Sequence, residues 1–406
     1  MGFTQHDVEE LSRALDEPGW LTERRLEAWG YVEKLELPAE RDEPWRYTDL
    51  RRLKFSLDQF SAAPPEPFDA ALTLPRTPAL EEQGVVLLPL YNALQTRPEL
   101  VRQHLFSLYH PGQDIFTGLH AALFAGGTFL YVPRGVDVEV PIEATRTLSA
   151  AGTGSFPHTL VVVEEGASVV FVDRFESPDL ASPTLSDAGI EVVAGAGSHV
   201  TVVSLQEYGR GVWHFLTHRG SIGAQATMRS LVVTLGATFS RAQVENLLAG
   251  EHASLQMLGL YFAEANQHFD MRTLQDHAAP ACTSDLLYKG ALKDTAHTVY
   301  SGLIRVHEGA AKTDAYQANR NLVLSDHAKA DSKPELEILN NDVRCTHGST
   351  VGQIDEAQLF YLQSRGISKE EAERLIALGF FEDVINRVGV ESLQATLREA
   401  IARKLG

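Results

Sequence analysis

Short apolar runs rich in β-branched residues are the feature that most constrains the fold of this chain. They recur through the middle of the sequence and are separated by Gly and by polar residues, a pattern that predicts β-strands. No helical stripe of apolar residues lies between them, so strands alternating with helices are not expected. The clearest runs are 128–132, 160–163, 169–172, 200–203 and 231–234.

The turns between these runs recur at a nearly constant spacing. Gly166, Gly197, Gly223 and Gly250 follow one another at intervals of 31, 26 and 27 residues. Periods of 20 to 50 residues are typical of stacked structural repeats, and glycine accommodates tight corners between strands. We therefore predict a mainly β protein whose core, residues 125–351, is a right-handed parallel β-helix. A β-sandwich is the alternative.

Both ends of the chain are predicted to be helical, as an N-terminal helical or mixed domain over 1–124 and a C-terminal helical domain over 352–406. Thr4 and Ser368 are followed three residues later by acidic residues, a spacing that predicts helix caps. Residues 61–77 are rich in Ala and Pro and are predicted to be a loop or linker. The many apolar positions of 352–406 fit either a small core of their own or a docking face for a partner.

Composition limits the classes of partner and compartment. The formal net charge of −19 disfavours binding to nucleic acid. No apolar run approaches the length needed to cross a bilayer, and the first residues do not resemble a secretory signal. The two cysteines, Cys282 and Cys345, fit a reducing compartment, so we expect a cytoplasmic protein. Two cysteines also cannot complete a four-thiolate iron–sulfur site within one chain.

Cys345 and His347 are the strongest candidates for a chemical site. They fall in a stretch that reads as a strand, where alternate side chains share one face. Thiolate and imidazole together suit iron, zinc or copper. The alternative is one buried cysteine and one hydrogen-bonded histidine in a strand. We predict that Gly348 and Gly352 break this strand, and that a helix begins at Asp355 and ends at Gly366.

Motifs of common enzyme classes are missing from the sequence. It contains no phosphate-binding G-x-x-x-x-G-K-[ST] and no G-x-S-x-G, and its 15 histidines show no zinc-protease spacing. We therefore expect no catalytic residues and no enzymatic activity. A β-helix enzyme acting on acidic polysaccharide is an alternative, which would predict clustered charges on one face and a secretion signal. Trp45-Arg46-Tyr47-Thr48 fits either a stacking site for a planar ligand or an anchor for the chain.

Several segments resemble the SufB/SufD family, the scaffold subunits of the SUF iron–sulfur cluster assembly machinery, and they resemble its SufD branch more than its SufB branch. The resemblance is carried by Cys345-Thr-His347-Gly, Phe360-Tyr361-Leu and Ser364-Arg-Gly366-Ile. Further matching segments lie at 43–48, 312–317, 321–326, 333–338 and 350–352.

The resemblance implies a parallel β-helix and a role in building a cluster with a second subunit. In the family, SufD-type and SufB-type subunits pair near the ends of their β-helices. The histidine matching His347 faces a SufB cysteine there, and the pair nucleates the nascent iron–sulfur cluster; Cys345 is a second candidate ligand. The sulfur-receiving cysteine belongs to SufB and has no clear counterpart here. A SufB-type subunit that itself receives sulfur is the alternative. This alternative predicts more cysteines in the β-helix.

The resemblance also implies that the C-terminal helical domain docks a SufC-type ABC ATPase, whose closure would remodel the interface between the scaffolds. We assign this docking to a region that contains Phe360, Tyr361, Leu375 and Phe380. Reduced flavin is associated with some family complexes, but no segment of this sequence locates a flavin site. The isolated chain is compatible with either a homodimer or a heterocomplex.

Overall fold

The computed structural model of the chain describes residues 2–62, 72–75 and 78–405. Most of the linker predicted at 61–77 therefore lies outside the described residues, and its described parts include two short strands. Within the described residues, no helix combines the length and the apolarity that a membrane span requires.

Nine α-helices are described, in two groups along the chain. The N-terminal region holds α1 to α6, and the C-terminal region holds α7 to α9. Short 3-10 helices occur at Glu43–Trp45 and Leu57–Gln59. The helices are α1 (Gln5–Ala14), α2 (Gly19–Val32), α3 (Pro78–Glu82), α4 (Leu90–Thr96), α5 (Pro98–His104), α6 (Ile115–Leu123), α7 (Glu356–Ser364), α8 (Lys369–Arg387) and α9 (Glu391–Leu405).

Twenty strands are described, most of them between α6 and α7. They are β1 (Ser61–Ala62), β2 (Leu72–Thr73), β3 (Val86–Pro89), β4 (Thr128–Val132), β5 (Ile142–Thr147), β6 (Thr153–Ser155), β7 (His158–Val163), β8 (Ser168–Glu176), β9 (Thr184–Ala194), β10 (His199–Glu207), β11 (Val212–Ile222), β12 (Thr227–Thr234), β13 (Phe239–Leu248), β14 (Ser254–Ala263), β15 (His268–His277), β16 (Thr283–Leu292), β17 (His297–Val306), β18 (Thr313–Val323), β19 (Lys329–Ile338) and β20 (Val343–Gln353).

Successive strands alternate between two sheets that stack coil upon coil. One sheet follows the order β4-β7-β9-β11-β13-β15-β17-β19, and the other the order β5-β8-β10-β12-β14-β16-β18-β20; all of these pairs are parallel. Ser168 pairs with His199 and His199 with Thr227, offsets of 31 and 28 residues that match the repeat in the sequence. The predicted parallel β-helix is confirmed, and the β-sandwich is excluded.

The inward faces of the two sheets form one continuous apolar core. Fully buried examples are Phe171, Met257 and Phe269, which come from different coils. Because side chains alternate along each strand, the outward faces carry a second set of apolar residues that needs its own cover. The helices supply that cover.

The N-terminal helices cover the first half of the sheet that contains β11. Trp213, Phe215 and Phe239 point outward from this sheet and pack with Phe116 of α6 and with Trp45 in one aromatic cluster. Trp45 is 4% exposed, and the guanidinium of Arg241 stacks on its ring at 3.7 Å. The segment around Trp45 is therefore an anchor that joins the N-terminal region to the β-helix.

The C-terminal helices lie along the side of the other sheet. Phe381, Val384 and Leu397 of α8 and α9 pack against outward residues of that sheet such as Leu258 and Leu287. Most apolar positions of 352–406 thus form a shared core with the β-helix. Deleting this segment would uncover the sheet, so substitutions of exposed side chains are the better test of docking.

The strand that carries Cys345 is longer than predicted. Gly348 and Gly352 do not break it, because they pair in register with Ala318 and Leu322 and β20 continues to Gln353. β20 thus extends two residues past residue 351, the predicted end of the β-helix. The helix after it begins at the predicted cap, where the Asp355 side chain accepts a hydrogen bond from the backbone N–H of Ala357 at 2.8 Å.

Candidate functional site

The two ends of the β-helix differ in how their strands are covered. At the first end, β3 and β2 pair antiparallel with β4 and β5 and occupy their edges. At the other end, β19 and β20 are the last strands of their sheets, and within the described residues no strand pairs with their outer edges. Neither strand contains a single buried residue. Such open edges are templates for pairing with another chain.

Backbone alternation shows which groups these edges offer. The N–H groups of Lys329 and Leu339 donate inward, to Ala296 and Val306, so the N–H groups of the even-numbered residues of β19 face outward. Pro334 occupies one of these outward positions, where a missing N–H disturbs no internal pairing.

The same alternation places the backbone groups of Cys345 and His347 on the open edge of β20. On the preceding strand, the N–H of Asp314 donates back to Cys282 at 3.0 Å, and Asp314 pairs in register with Arg344. Arg344 therefore donates inward, and its odd-numbered neighbours direct their N–H and C=O groups outward. A strand added to this edge would hydrogen-bond directly to the two candidate ligands.

The side chains of Cys345 and His347 share one face of β20, as predicted. The register stacks them on Ala315 and Gln317, both of which are buried in the preceding coil. His347 itself is exposed, whereas Cys345 is half-buried against a small apolar cluster that includes Ile304. The imidazole is thus accessible at the end of the coil, and the thiol is partly covered.

The surroundings of Cys345 favour the neutral thiol. Burial raises the pKa of the Cys345 thiol above its usual value, and the nearby Asp314 carboxylate raises it further. Metal binding requires the thiolate, so a metal ligated here would have to displace the proton. Cys345 in the free chain is therefore a protonated residue rather than a ready ligand.

We expect Cys345 to react slowly with iodoacetamide near pH 7 and faster as the pH rises past the usual range of a cysteine, because only the thiolate is nucleophilic. Mass spectrometry of the modified peptide measures the rate. Asp314→Asn should accelerate the reaction at a fixed pH, since it removes the neighbouring negative charge. Cys345→Ser is the control, because the remaining Cys282 is 0% exposed. A fast reaction at pH 7 in the unmodified chain would contradict the assignment.

Cys345 and His347 alone are too few to hold a metal ion. In the part of the chain that the structure describes, no three His, Cys, Asp or Glu residues converge well enough to hold a metal ion. Cys345 and His347 offer two donors, and a tetrahedral site needs four. Any metal or cluster at this end would therefore require ligands from inorganic sulfide or a second chain.

Exposed apolar side chains surround this open end, and no pattern in the sequence predicted them. Among the described residues, half of the exposed large apolar side chains lie on the last coils: Tyr316, Leu336, Ile338, Leu339 and Val351. Their local sequence does not distinguish a terminal coil from an internal one, so their exposure was not predicted. Apolar surface next to open edges is typical of a protein interface.

A second exposed apolar surface lies on α7 and the start of α8. Phe360 is 72% exposed, Tyr361 57% and Leu375 39%. Phe380, assigned to the same region, is half-buried against the β-helix, and the Lys289 ammonium lies 4.8 Å from its ring centroid. We call Phe360, Tyr361 and Leu375 the α7 patch; Phe380 belongs to the packing of α8.

Comparison with known proteins gives consistent matches along almost the whole chain. The family model for the SufBD core domain of SUF-system FeS cluster assembly matches residues 146–380, and the model for the SufBD N-terminal region matches residues 72–144. An iron–sulfur cluster assembly SufBD family protein of Mycobacterium leprae is 33% identical, with 95% of each chain covered.

Two Bacillus subtilis proteins are similar to the chain at nearly equal levels. The iron–sulfur cluster assembly protein SufD is 30% identical over 100% of this chain and 98% of its own length. The iron–sulfur cluster assembly protein SufB is 28% identical over 96% of this chain and 90% of its own length. Overall identity therefore does not separate the two branches.

Proposed function

Since this chain belongs to the SufBD family of iron–sulfur cluster assembly proteins, we propose that it is a SufD-type scaffold subunit that builds a nascent cluster with a SufB-type partner. The observation that carries the proposal is the coincidence of three features at one end of the β-helix: open strand edges, exposed apolar side chains, and the His347 imidazole. The role is that of a non-enzymatic scaffold in the cytoplasm.

The proposed partner adds strands to the open edges of β19 and β20. Its backbone would satisfy outward groups of these strands, and its apolar residues would cover those around Leu339 and Val351. The iron–sulfur cluster is the cargo of this interface. His347 would supply one neutral nitrogen ligand, and Cys345 a second ligand once its proton is displaced. The remaining ligands would come from sulfide and from the partner's cysteine.

The cysteine content supports a SufD-type rather than a SufB-type role. The chain has two cysteines, and Cys282 is fully buried with its Sγ atom 3.2 Å from the carbonyl oxygen of Gly250. Burial also raises the pKa of the Cys282 thiol. A buried, protonated thiol is a poor acceptor of sulfur from another protein. We therefore assign the acceptance of sulfur to a cysteine of the partner.

The α7 patch is the proposed docking site of a SufC-type ATPase. Its side chains are exposed although α7 is joined to α8, which is fixed on the β-helix by Phe381. Movement of a bound ATPase could thus be transmitted through α8 to the sheet that ends in β20. Reduced flavin stays outside this proposal, because no described site suggests its binding.

We expect the double substitution Phe360→Ala with Tyr361→Ala to remove the ATPase from a co-expressed complex while the SufB-type subunit stays bound. Both rings are exposed, so the melting temperature should change little. Native mass spectrometry of the purified complex measures the subunits present. Val140→Ala is the control, because Val140 is also an apolar residue and is 69% exposed at another place. Retention of the ATPase by the double variant would exclude the α7 patch as the docking site.

A further inference from the structure

A chain of hydrogen bonds between buried titratable groups joins the N-terminal helices to the β-helix, and the proposed function does not use it. His120 of α6 has its Nδ1 2.9 Å from the backbone oxygen of Asp187 and its Nε2 2.9 Å from Nδ1 of His158. Nε2 of His158 lies 3.1 Å from Oε2 of Glu191. His120, His158 and Glu191 are all 0% exposed.

The number of protons needed by these contacts is fixed by their chemistry. The Asp187 carbonyl only accepts, so Nδ1 of His120 must carry a proton. An ionised Glu191 also only accepts, so Nε2 of His158 must carry a second proton. The contact between the two rings needs a third, but two neutral imidazoles hold only two protons in total. With two protons, one buried pair of acceptor atoms would face each other without hydrogen.

We propose that the His120–His158 pair binds this third proton and exists as a buried imidazole–imidazolium pair that neutralises Glu191. His158 is the imidazolium: both of its N–H groups donate, one to His120 and one to Glu191. His120 is neutral, donates to Asp187 and accepts from His158. Every contact in the chain is then satisfied.

Two features favour a proton on His158 over its neighbours. Burial lowers the pKa of His120 well below its usual value, so this ring is the neutral member. The Glu191 oxygens accept backbone N–H groups from Phe106 at 2.6 Å and from Leu108 at 2.7 Å. Such bonds stabilise a carboxylate over the protonated acid.

The charges around the pair leave Glu191 as its counterion. Burial, with a contribution from Asp114, raises the pKa of Asp187 well above its usual range, which disfavours the Asp187 carboxylate as a competing counterion. The nearby Arg25 guanidinium pairs with Glu17 at 2.6 Å. Burial lowers the pKa of His104, which keeps that imidazole neutral.

The third proton has a structural consequence. Glu191 holds the backbone that leads from α5 to α6 through Phe106 and Leu108, and an unmatched charge at this buried position would be costly. The proton therefore acts as a bound ligand that fastens the N-terminal helices onto β7 and β9.

Nitrogen NMR of the full-length chain with ¹⁵N-labelled histidine tests the proposal at neutral pH. An imidazolium shows two protonated ring nitrogens, whereas a neutral ring shows one. We expect one buried ring, assigned by its loss in His158→Asn, to show the imidazolium pattern. His218 is the neutral reference, because it is buried and its pKa is lowered to about 3.

Glu191→Gln provides the sharper comparison. A glutamine amide can donate to Nε2 of His158, so two imidazole protons then suffice and the imidazolium pattern should vanish. Glu165→Gln, at an exposed carboxylate, should leave it unchanged. Two neutral rings in the unsubstituted chain, a result that needs no variant to fold, would overturn the proposal. So would an unchanged imidazolium in Glu191→Gln.

Discussion

His347→Ala is expected to abolish cluster formation in the co-expressed complex while fold and subunit composition stay intact. His347 is exposed at the open end of β20, so its removal leaves no buried cavity. A stability change within about 0.5 kcal/mol is expected for such a surface substitution. The loss of an iron ligand, in contrast, removes one of the few donors that a cluster at this interface would have.

Iron and acid-labile sulfide per complex, together with the melting temperature, distinguish a ligand role of the His347 imidazole from a structural role. His327→Ala is the matched control, because His327 is an exposed histidine in the turn before β19. Cys345→Ala is expected to have a milder effect on cluster content. Normal iron and sulfide in the His347→Ala complex would show that His347 is not a cluster ligand. A large fall in its melting temperature would show that His347 has a structural role.

Ser349→Pro is expected to weaken association with the SufB-type partner by at least roughly tenfold, which corresponds to about 1.4 kcal/mol. By the alternation of β20, the N–H of Ser349 faces the open edge, so proline removes a group offered to the partner and leaves internal pairing intact. The proline ring also obstructs an approaching strand.

Ser349→Ala is the matched control for this effect, because it removes only the hydroxyl that bonds to Ser332 at 2.7 Å. The dissociation constant, measured by titration of the separately purified subunits, should rise for the proline variant and remain near the unsubstituted value for the alanine variant. Equal affinities would show that the partner does not pair with the β20 edge. Retention of homodimers in place of a heterocomplex would identify a second copy as the natural occupant.

Local patterns in the sequence were sufficient to predict the individual elements. The β-branched runs coincide with β4, β7, β8, β10 and β12, because strand preference and turn spacing are encoded within a few residues. The helix cap at Asp355 and the left-handed Gly366, with φ of +87°, depend on equally local geometry.

Features that depend on distant parts of the chain were predicted less well. Gly348 and Gly352 look like strand breakers in isolation, but pairing with β18 keeps them extended. Phe380 reads as one more apolar residue of α8, and its neighbour Lys289 is far away in sequence. The contact between His120 and His158 likewise arises only when α6 folds onto β7.

The open end of the β-helix also followed only in part from the sequence. The repeat predicted how coils stack, but it did not identify β19 and β20 as the last strands of their sheets. Only the absence of a following coil within the described residues identifies them as edges. The segment around Cys345 and His347 resembles a known family, and this resemblance indicated a site. It did not indicate that the site lies at an open strand edge.

Detection of a nitrogen ligand from this chain on the cluster tests the central claim most directly. The complex would be assembled with ¹⁵N-histidine in this chain only, reduced to a paramagnetic cluster, and measured by electron–nuclear double resonance. We predict a ¹⁵N coupling of directly bound histidine that is absent from any residual cluster in the His347→Ala complex. A cluster at full occupancy without ¹⁵N coupling to this chain would contradict the assignment of the open end as its assembly site.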